Sequence, residues 1–303
     1  MISRDIPQNA PGIVPDKPYA MQLGDGQLWI RAGFVVEPHH MADGQQPHEM
    51  PQGHDSLYAI PEKGAFVVCD GASGETEGQM DPARSARVAA KFLVEQFAAI
   101  PHGMSVPKLE EWANDQMESA TMYVDYAGGG MTTAIAAGPT LDEQGRPMLF
   151  VASRGDSRAA IDHNEEPANL SLQYWERARS FGNFAYQYDQ RLADGFGPYE
   201  ISADRGFSTW VGTPSKKHTQ STQSANLLLQ PQTRERLVMV TDGIAGSEYS
   251  QGQATFLSHD VVETAMKRGT PQESISHLLR NSTKHDDKAG FTIDWGYVPG
   301  KSL

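Results

Sequence analysis

Short apolar runs rich in β-branched residues recur along the chain between glycine, proline and aspartate, a pattern typical of strands. Two segments, 88–100 and 109–124, carry apolar residues three and four positions apart, which indicates two consecutive amphipathic helices. Residues 270–273 are Thr-Pro-Gln-Glu, in which threonine can cap a helix, proline suits its first position and glutamate completes a capping box. The predicted strands are 28–36, 56–60, 65–69, 132–137, 148–153, 158–162, 236–241 and 290–295.

The predicted strands cluster instead of alternating regularly with helices, which favours an α+β fold. No internal repeat or low-complexity linker divides the 303 residues. We therefore predict a flexible, proline-rich leader over 1–20 and a single domain over 21–299. Periodicity fades over 164–226, where Gly, Ser, Tyr and Gln dominate, and this predicts an irregular, flap-like functional insertion.

Charge and hydropathy exclude several classes of protein. Lys and Arg number 25 against 38 Asp and Glu, and the net charge of −13 argues against a nucleic-acid partner, since phosphates attract clustered cations. No run approaches the roughly 20 apolar residues of a membrane helix, and the chain begins without the apolar core of a secretory signal. A lone cysteine, Cys69, forms no intrachain disulfide and fits a reducing compartment. We expect a cytoplasmic monomer without a membrane partner.

Aspartates stand at the ends of several predicted strands. Asp55 opens one strand and Asp70 closes the next, so a hairpin through 61–64 would bring the two carboxylates to the same end. Each position alone is a common turn signal. Together they provide oxygen ligands of the kind that Mg²⁺ or Mn²⁺ prefers, and they predict a metal site with hydrolytic or phosphoryl chemistry. The further members of this set are Asp156, Asp242, Asp286 and Asp287.

Other motifs indicate less. Zinc ligation is an alternative for four histidines close together, but the segment has no cysteine and no helical His-x-x-x-His, so a solvated loop is favoured. The glycines at 128–130 lack the Lys and Ser/Thr of a phosphate-binding loop. The basic residues 216–218 form a compact patch that is either solvated or in contact with a phosphoprotein. The four histidines are His39, His40, His48 and His54.

Six motifs, taken in order, resemble those of the metal-dependent serine/threonine protein phosphatases of the 2C type, in their bacterial form, over 28–298. The resemblance implies a four-layer α-β-β-α sandwich in which helices flank two central antiparallel sheets, with metal at one edge. It also implies that two Mn²⁺ or Mg²⁺ ions share a bridging water that attacks phosphorus without a phosphoenzyme. The motifs are 53–56, 66–71, 130–133, 155–158, 241–243 and 286–287.

The resemblance also implies how the first ion is held. Asp70 would bridge both ions, and the carbonyl of Gly71 would ligate one of them. Asp55 would ligate that same ion directly or through water. These residues would act on the substrate through the metal-bound water.

For the second ion, the resemblance implies ligation by Asp242 and Asp286. Asp156 would lie near a third, weaker site. Asp287 stands where the family often has asparagine, so ligation by either member of the adjacent pair stays open, with Asp286 favoured.

Two positions depart from the family pattern. Met50 stands five residues before Asp55, where many members carry an arginine that grips phosphate, and Ala72 replaces the histidine of the eukaryotic form. Candidates to replace the arginine are Arg31, Arg84 and Arg154.

The implied function is hydrolysis of phosphoserine and phosphothreonine on a protein, either a Ser/Thr kinase or its targets. The first alternative is a catalytically weak or dead phosphatase fold that binds a partner. The second is a metal-dependent hydrolase of small phosphate esters.

Overall fold

The secondary structure is taken from a computed structural model that describes residues 13–38, 53–72, 82–127, 130–155, 157–163, 211–212, 222–231, 233–245, 248–250, 253–255, 257 and 259–300. In chain order the strands are β1 (Pro18–Leu23), β2 (Gly26–Glu37), β3 (Ser56–Ile60), β4 (Ala65–Cys69), β5 (Gly71–Ala72), β6 (Met131–Thr132), β7 (Ala134–Leu141), β8 (Pro147–Arg154), β9 (Arg158–His163), β10 (Val211–Gly212), β11 (Gln223–Leu228), β12 (Arg234–Val240), β13 (Glu248–Ser250), β14 (Gln253–Thr255) and β15 (Lys288–Val298). The helices are α1 (Pro82–Phe97), α2 (Val106–Tyr126), α3 (Asp242–Ala245), α4 (His259–Lys267) and α5 (Pro271–Asn281).

Two five-stranded antiparallel sheets form the centre of the fold. The strand order is β1-β2-β15-β12-β9 in the first sheet and β11-β8-β7-β4-β3 in the second. A small sheet, β10-β6-β5, and the β13–β14 hairpin complete the described strands. The predicted α+β fold with two central antiparallel sheets is confirmed.

The layers follow from the alternation of side chains along the strands of the second sheet. In β4, Phe66 and Val68 enter the core shared with the first sheet, whereas Val67 and Cys69 enter the core shared with α1 and α2. This is the two-residue period of a strand buried on both faces. Helices α4 and α5 cover the outer face of the first sheet, so the order of layers is helix, sheet, sheet, helix.

Aromatic rings join the two sheets at their centre. The ring of Phe66 in β4 lies edge-on to Phe291 at 5.4 Å and to Trp295 at 5.7 Å, both in β15. Such edge-to-face pairs each add about 0.5–1.5 kcal/mol beyond the area that they bury. They fix the position of one sheet against the other, and therefore of the strand ends where the aspartates stand.

The predicted leader extends too far along the chain. Ile13 is fully buried, the backbone N–H of Asp16 donates to the carbonyl of Ala32 at 2.8 Å, and β1 begins at Pro18. The prolines indicated a loose segment, but β1 lies at the edge of the first sheet. A proline is tolerated at the start of an edge strand because its missing backbone N–H is not needed for pairing within the sheet. The structured part therefore starts before residue 21, and residues 1–12 lie outside the described residues.

Other boundaries also differ from the prediction. The predicted strand 132–137 is two strands, β6 and β7, which Thr133 separates. Within the interval 164–226, only 211–212 and 222–226 are described; 211–212 form β10, and β11 begins at Gln223. The polar sequence of β11 gave no strand signal because this strand lies at a sheet edge. Helix α4 was not predicted.

The three predicted helices are confirmed as α1, α2 and α5. The capping box at α5 is complete: the N–H of Glu273 donates to the Thr270 hydroxyl at 3.2 Å, and the N–H of Thr270 donates to the Glu273 carboxylate at 3.1 Å. Among the described helices, none combines the length and apolarity that crossing a bilayer requires.

Candidate metal centre

The β3–β4 hairpin brings Asp55 and Asp70 together as predicted. Ser56 pairs with Cys69, so Asp55 immediately before β3 and Asp70 immediately after β4 meet at the same end of the second sheet. The side chains of Asp55 and Asp70 are within hydrogen-bonding reach of each other. This end of the hairpin therefore brings together the first two of the predicted ligand residues.

Asp55 is held in an environment that disfavours its negative charge. The carboxyl is 3% exposed, and burial raises its pKa well above the ordinary value. The charges of Asp287 and Asp242 raise the pKa further, against the lowering effect of a hydrogen bond from the Thr241 hydroxyl at 2.8 Å. A cation bound here would relieve the repulsion among these carboxylates.

Asp242 is brought to the same edge by the first sheet. Strand β12 ends at Val240 and β15 begins at Lys288 beside it, because the two strands are antiparallel and Val240 pairs with Gly290. The backbone N–H of Thr241 donates to the carbonyl of Ala289 at 2.9 Å and continues the pairing up to Asp242. The start of α3 therefore lies against the segment that contains the last acidic motif.

Gly243 allows the closest approach in this region. A Cβ atom at this position would lie 1.7 Å from the carbonyl oxygen of Asp287, so any side chain would push the two segments apart. Close packing against Asp287 therefore requires glycine after Asp242, whereas a turn alone would only favour it.

The adjacent residues Asp286 and Asp287 have different contacts. The carboxylate of Asp287 is buried and accepts from the backbone N–H of His54 at 2.6 Å, which ties the first sheet to the start of β3. The carboxylate of Asp286, 32% exposed, contacts the ammonium of Lys284 at 2.8 Å. Both carboxylates therefore lie at the site, Asp287 toward Asp55 and Asp286 toward Asp242.

Lys284 lies between two of the predicted ligands. Its ammonium contacts the carboxylate of Asp242 as well as that of Asp286. Burial acts against the charge of Lys284, but these two carboxylates outweigh it and hold its pKa above the ordinary value. Sequence reasoning did not single out this lysine.

Two threonines hold the backbone of Asp70. The Thr132 hydroxyl donates to the Asp70 carbonyl at 2.8 Å, and the Asp70 N–H donates to the Thr133 hydroxyl at 3.0 Å. The Thr133 hydroxyl also shares a 2.6 Å hydrogen bond with the Ser157 hydroxyl. The motif at 130–133 therefore positions Asp70 and contributes no charge of its own.

Gly71 is enclosed by backbone on two sides. A Cβ atom here would lie 2.3 Å from the carbonyl oxygen of Pro82, at the start of α1, and 2.8 Å from that of His54. Only glycine fits, and its main chain lies at the edge of the small sheet opposite Thr132.

Comparison with known proteins identifies the architecture. No family model matches the chain, and no curated protein is significantly similar to it in sequence. Its structure is similar to PppA, a key regulatory component of T6SS in Pseudomonas aeruginosa, with a TM-score of 0.53 and 15% identity over 87% of this chain and 96% of that chain. It is also similar to a bacterial serine phosphatase, with a TM-score of 0.51 and 15% identity over 90% of this chain and 99% of that chain.

The chain has the fold of the PPM-type (2C) serine/threonine phosphatases. At 15% identity the likeness establishes the fold and leaves the activity to be argued from the site. It confirms the four-layer architecture that the sequence motifs implied.

The donor set at the edge of this 2C fold suits a hard divalent cation, because its side chains are carboxylates and the buried Asp55 is surrounded by like charge. Within the described residues, however, no three His, Cys, Asp or Glu side chains surround a common point. Asp156 and the histidines His39, His40 and His48 lie outside the described residues.

The three arginines proposed to replace the phosphate-gripping residue have different surroundings. Arg154 is 1% exposed, and its guanidinium donates to Glu118 and Asn114 of α2, so this residue is committed to packing. Arg31 pairs with Asp294, six residues along β15 from the site end, which is about 20 Å in an extended strand.

Arg84 is the remaining candidate of the three. It is exposed on the first turn of α1, two residues after Pro82, whose carbonyl abuts Gly71. Met50, at the position of the family's arginine, lies outside the described residues.

The roles of three further residues at the site were not predicted from the sequence. Thr241 and Thr133 belong to two of the six sequence motifs, but only the structure shows that their hydroxyls hydrogen-bond to Asp55 and Asp70. Lys284 stands two residues before Asp286, which is the only local signal for it. Its contact with Asp242 depends on the adjacency of β12 and β15.

Proposed function

We propose that the protein is a metal-dependent serine/threonine protein phosphatase that hydrolyses phosphoserine and phosphothreonine by direct attack of water on phosphorus. The observation that supports this proposal is that Asp55, Asp70, Asp242 and Asp286 all lie along one edge of a 2C fold. The acidic character of the chain requires positive charge from elsewhere for an anionic substrate. Two Mn²⁺ or Mg²⁺ ions would supply that charge and would activate water as the nucleophile.

The chain's own residues would position the reaction. Asp55, Asp70 and the main chain of Gly71 would hold the first ion, and Asp242 with Asp286 the second, with Asp156 near a third. The Thr241 hydroxyl favours the charged form of Asp55, because it donates to that carboxylate.

Thr132 and Thr133 hydrogen-bond to the backbone of Asp70 and would position this residue at the site. Arg84 would provide a cationic contact for the phosphate or for a residue beside it. A phosphoprotein, such as a Ser/Thr kinase or one of its targets, would be the partner.

The test is hydrolysis of an aryl phosphate and of a phosphothreonine peptide with Mn²⁺, with Mg²⁺ and with a chelator. Wild type is compared with Asp70→Asn, Asp242→Asn and a matched control, Asp115→Asn, on the exposed face of α2. Metal-dependent turnover that is lost in the two site variants and kept in the control is the expected result.

The second candidate is a phosphatase fold that binds a partner without turnover. The ion pairs of Lys284 with Asp242 and Asp286 favour it, because they neutralise part of the site without a metal. A folded wild-type protein that hydrolyses neither substrate with either ion would decide for this candidate.

A further inference from the structure

We propose that the ammonium of Lys284 takes the place of the second divalent ion between Asp242 and Asp286, so that the chain loads one ion readily and a second only by displacing this lysine. The inference rests on the proposed function and concerns the regulation of the same site.

The first argument is the position of the ammonium. It contacts one carboxylate oxygen of Asp242 and lies 2.8 Å from one of Asp286, the two residues proposed to hold the second ion. A cation already lies between the two carboxylates, and a divalent ion sharing the same oxygens would collide with it.

The second argument is that the fold places the lysine there. Helix α5 ends at Asn281, and the hydroxyl of the next residue, Ser282, donates to the carbonyl of Gly243 at 2.7 Å. This bond fastens the segment onto α3 one residue beyond Asp242. Lys284 follows within two residues, so its side chain has only a short distance to cover.

The third argument concerns charge. Two carboxylates carry a formal charge of −2, and one ammonium neutralises half of it. The three side chains are 20–32% exposed, so water screens the contact and lowers the cost of breaking it. A divalent ion would neutralise both carboxylates, so enough of it can replace the lysine.

The Asp55 carboxylate differs in this respect. The Asp55 carboxylate accepts a hydrogen bond from the Thr241 hydroxyl and lies beside the Asp70 side chain, and neither group is a cation. A first ion can therefore bind on this side of the site without displacing a bound ammonium from Asp55. The two halves of the site should consequently differ in their affinity for metal.

The test is direct Mn²⁺ binding by titration calorimetry, with the bound metal counted after dialysis. The variants are Lys284→Met, Lys284→Gln, which keeps a polar side chain, and the control Lys267→Met, which removes a Lys–Glu pair on α4. Circular dichroism verifies that each variant is folded.

We expect wild type and Lys267→Met to bind one Mn²⁺ at concentrations where both Lys284 variants bind two, with the second ion bound at least tenfold more tightly in those variants. Without metal, Lys284→Met should melt at a lower temperature than wild type, because two carboxylates lose their shared cation.

Two results would overturn the inference. If wild type and the Lys284 variants bind Mn²⁺ with equal stoichiometry and affinity, the lysine does not compete, and the proposed function is unaffected. If no variant binds Mn²⁺, the inference and the proposed metal dependence fail together.

Discussion

The hydroxyl of Thr241 joins the two sheets at the candidate metal centre, and its removal tests how the carboxylates are held. The side chain is fully buried at the end of β12. It donates to Asp55 at 2.8 Å and accepts from the backbone N–H of Ala289 at 3.0 Å. Thr241→Val keeps the shape of the side chain but removes the hydrogen bonds of this hydroxyl to both partners.

The expected loss of stability follows from the two partners. Losing a hydrogen bond costs about 0.5–1.5 kcal/mol when the partner is neutral and about 1.5–3 kcal/mol when it is charged, and orphaning a buried donor costs about 1–3 kcal/mol. Because one hydroxyl serves both and the site relaxes when it is lost, we expect Thr241→Val to lower the free energy of unfolding by about 3 kcal/mol. The control Thr241→Ser keeps the hydroxyl and loses one methyl group, for about 1 kcal/mol.

Urea unfolding in chelator measures both variants against wild type. Manganese titration of the same proteins should show weaker binding by Thr241→Val, because Asp55 loses the donor that favours its charged form. If Thr241→Val and Thr241→Ser have the same free energy of unfolding, the hydroxyl does not stabilise the buried carboxylate and the reasoning is refuted.

Two further predictions concern stability away from the site. The guanidinium of Arg236 contacts the Asp294 carboxylate at 2.6 and 2.8 Å, and both side chains are buried. Asp294→Asn should therefore lower the free energy of unfolding in urea by about 3–5 kcal/mol, whereas Lys267→Met, which breaks an exposed pair, should lower it by about 0.5 kcal/mol or less. Equal losses for the two variants would contradict this prediction. Burial, together with the charges of two neighbouring arginines, lowers the pKa of His277 below 6.5, so the unfolded state binds the proton more tightly. The stability of wild type should therefore fall more steeply than that of His277→Gln as the pH drops below about 6.5, and parallel curves would show that His277 does not contribute.

The local sequence pattern was enough to predict strands whose side chains are buried on both faces of the sheet. The strands 56–60 and 65–69 were predicted at the residues observed, because each is a short apolar run between turn residues. Of the four edge strands in the two central sheets, β3 and β9 were predicted from their apolar runs, whereas β1 and β11 were missed or assigned to irregular segments. An edge strand tolerates proline and polar residues, since one side of its backbone needs no partner in the sheet.

The candidate site could be predicted only in part for a similar reason. Asp55 and Asp70 meet through a hairpin that is local in sequence, so their proximity followed from the residues alone. The proximity of Asp242 to Asp286 requires β12 and β15 to be neighbours, which no periodicity reveals, and it came from the resemblance of the motifs. Lys284 was missed because its contact with Asp242 depends on that same pairing.

The carboxylates at the centre repel one another unless a positive charge or a hydrogen-bond donor compensates them, so the metal-free protein needs its own compensation. Thr241 and Lys284 provide it in ways that have opposite consequences for metal binding. The Thr241 hydroxyl favours a charged Asp55 and can stay when an ion arrives, so it raises both stability and affinity. The Lys284 ammonium must leave Asp242, so the stability that it gives the metal-free protein is subtracted from the binding of the second ion.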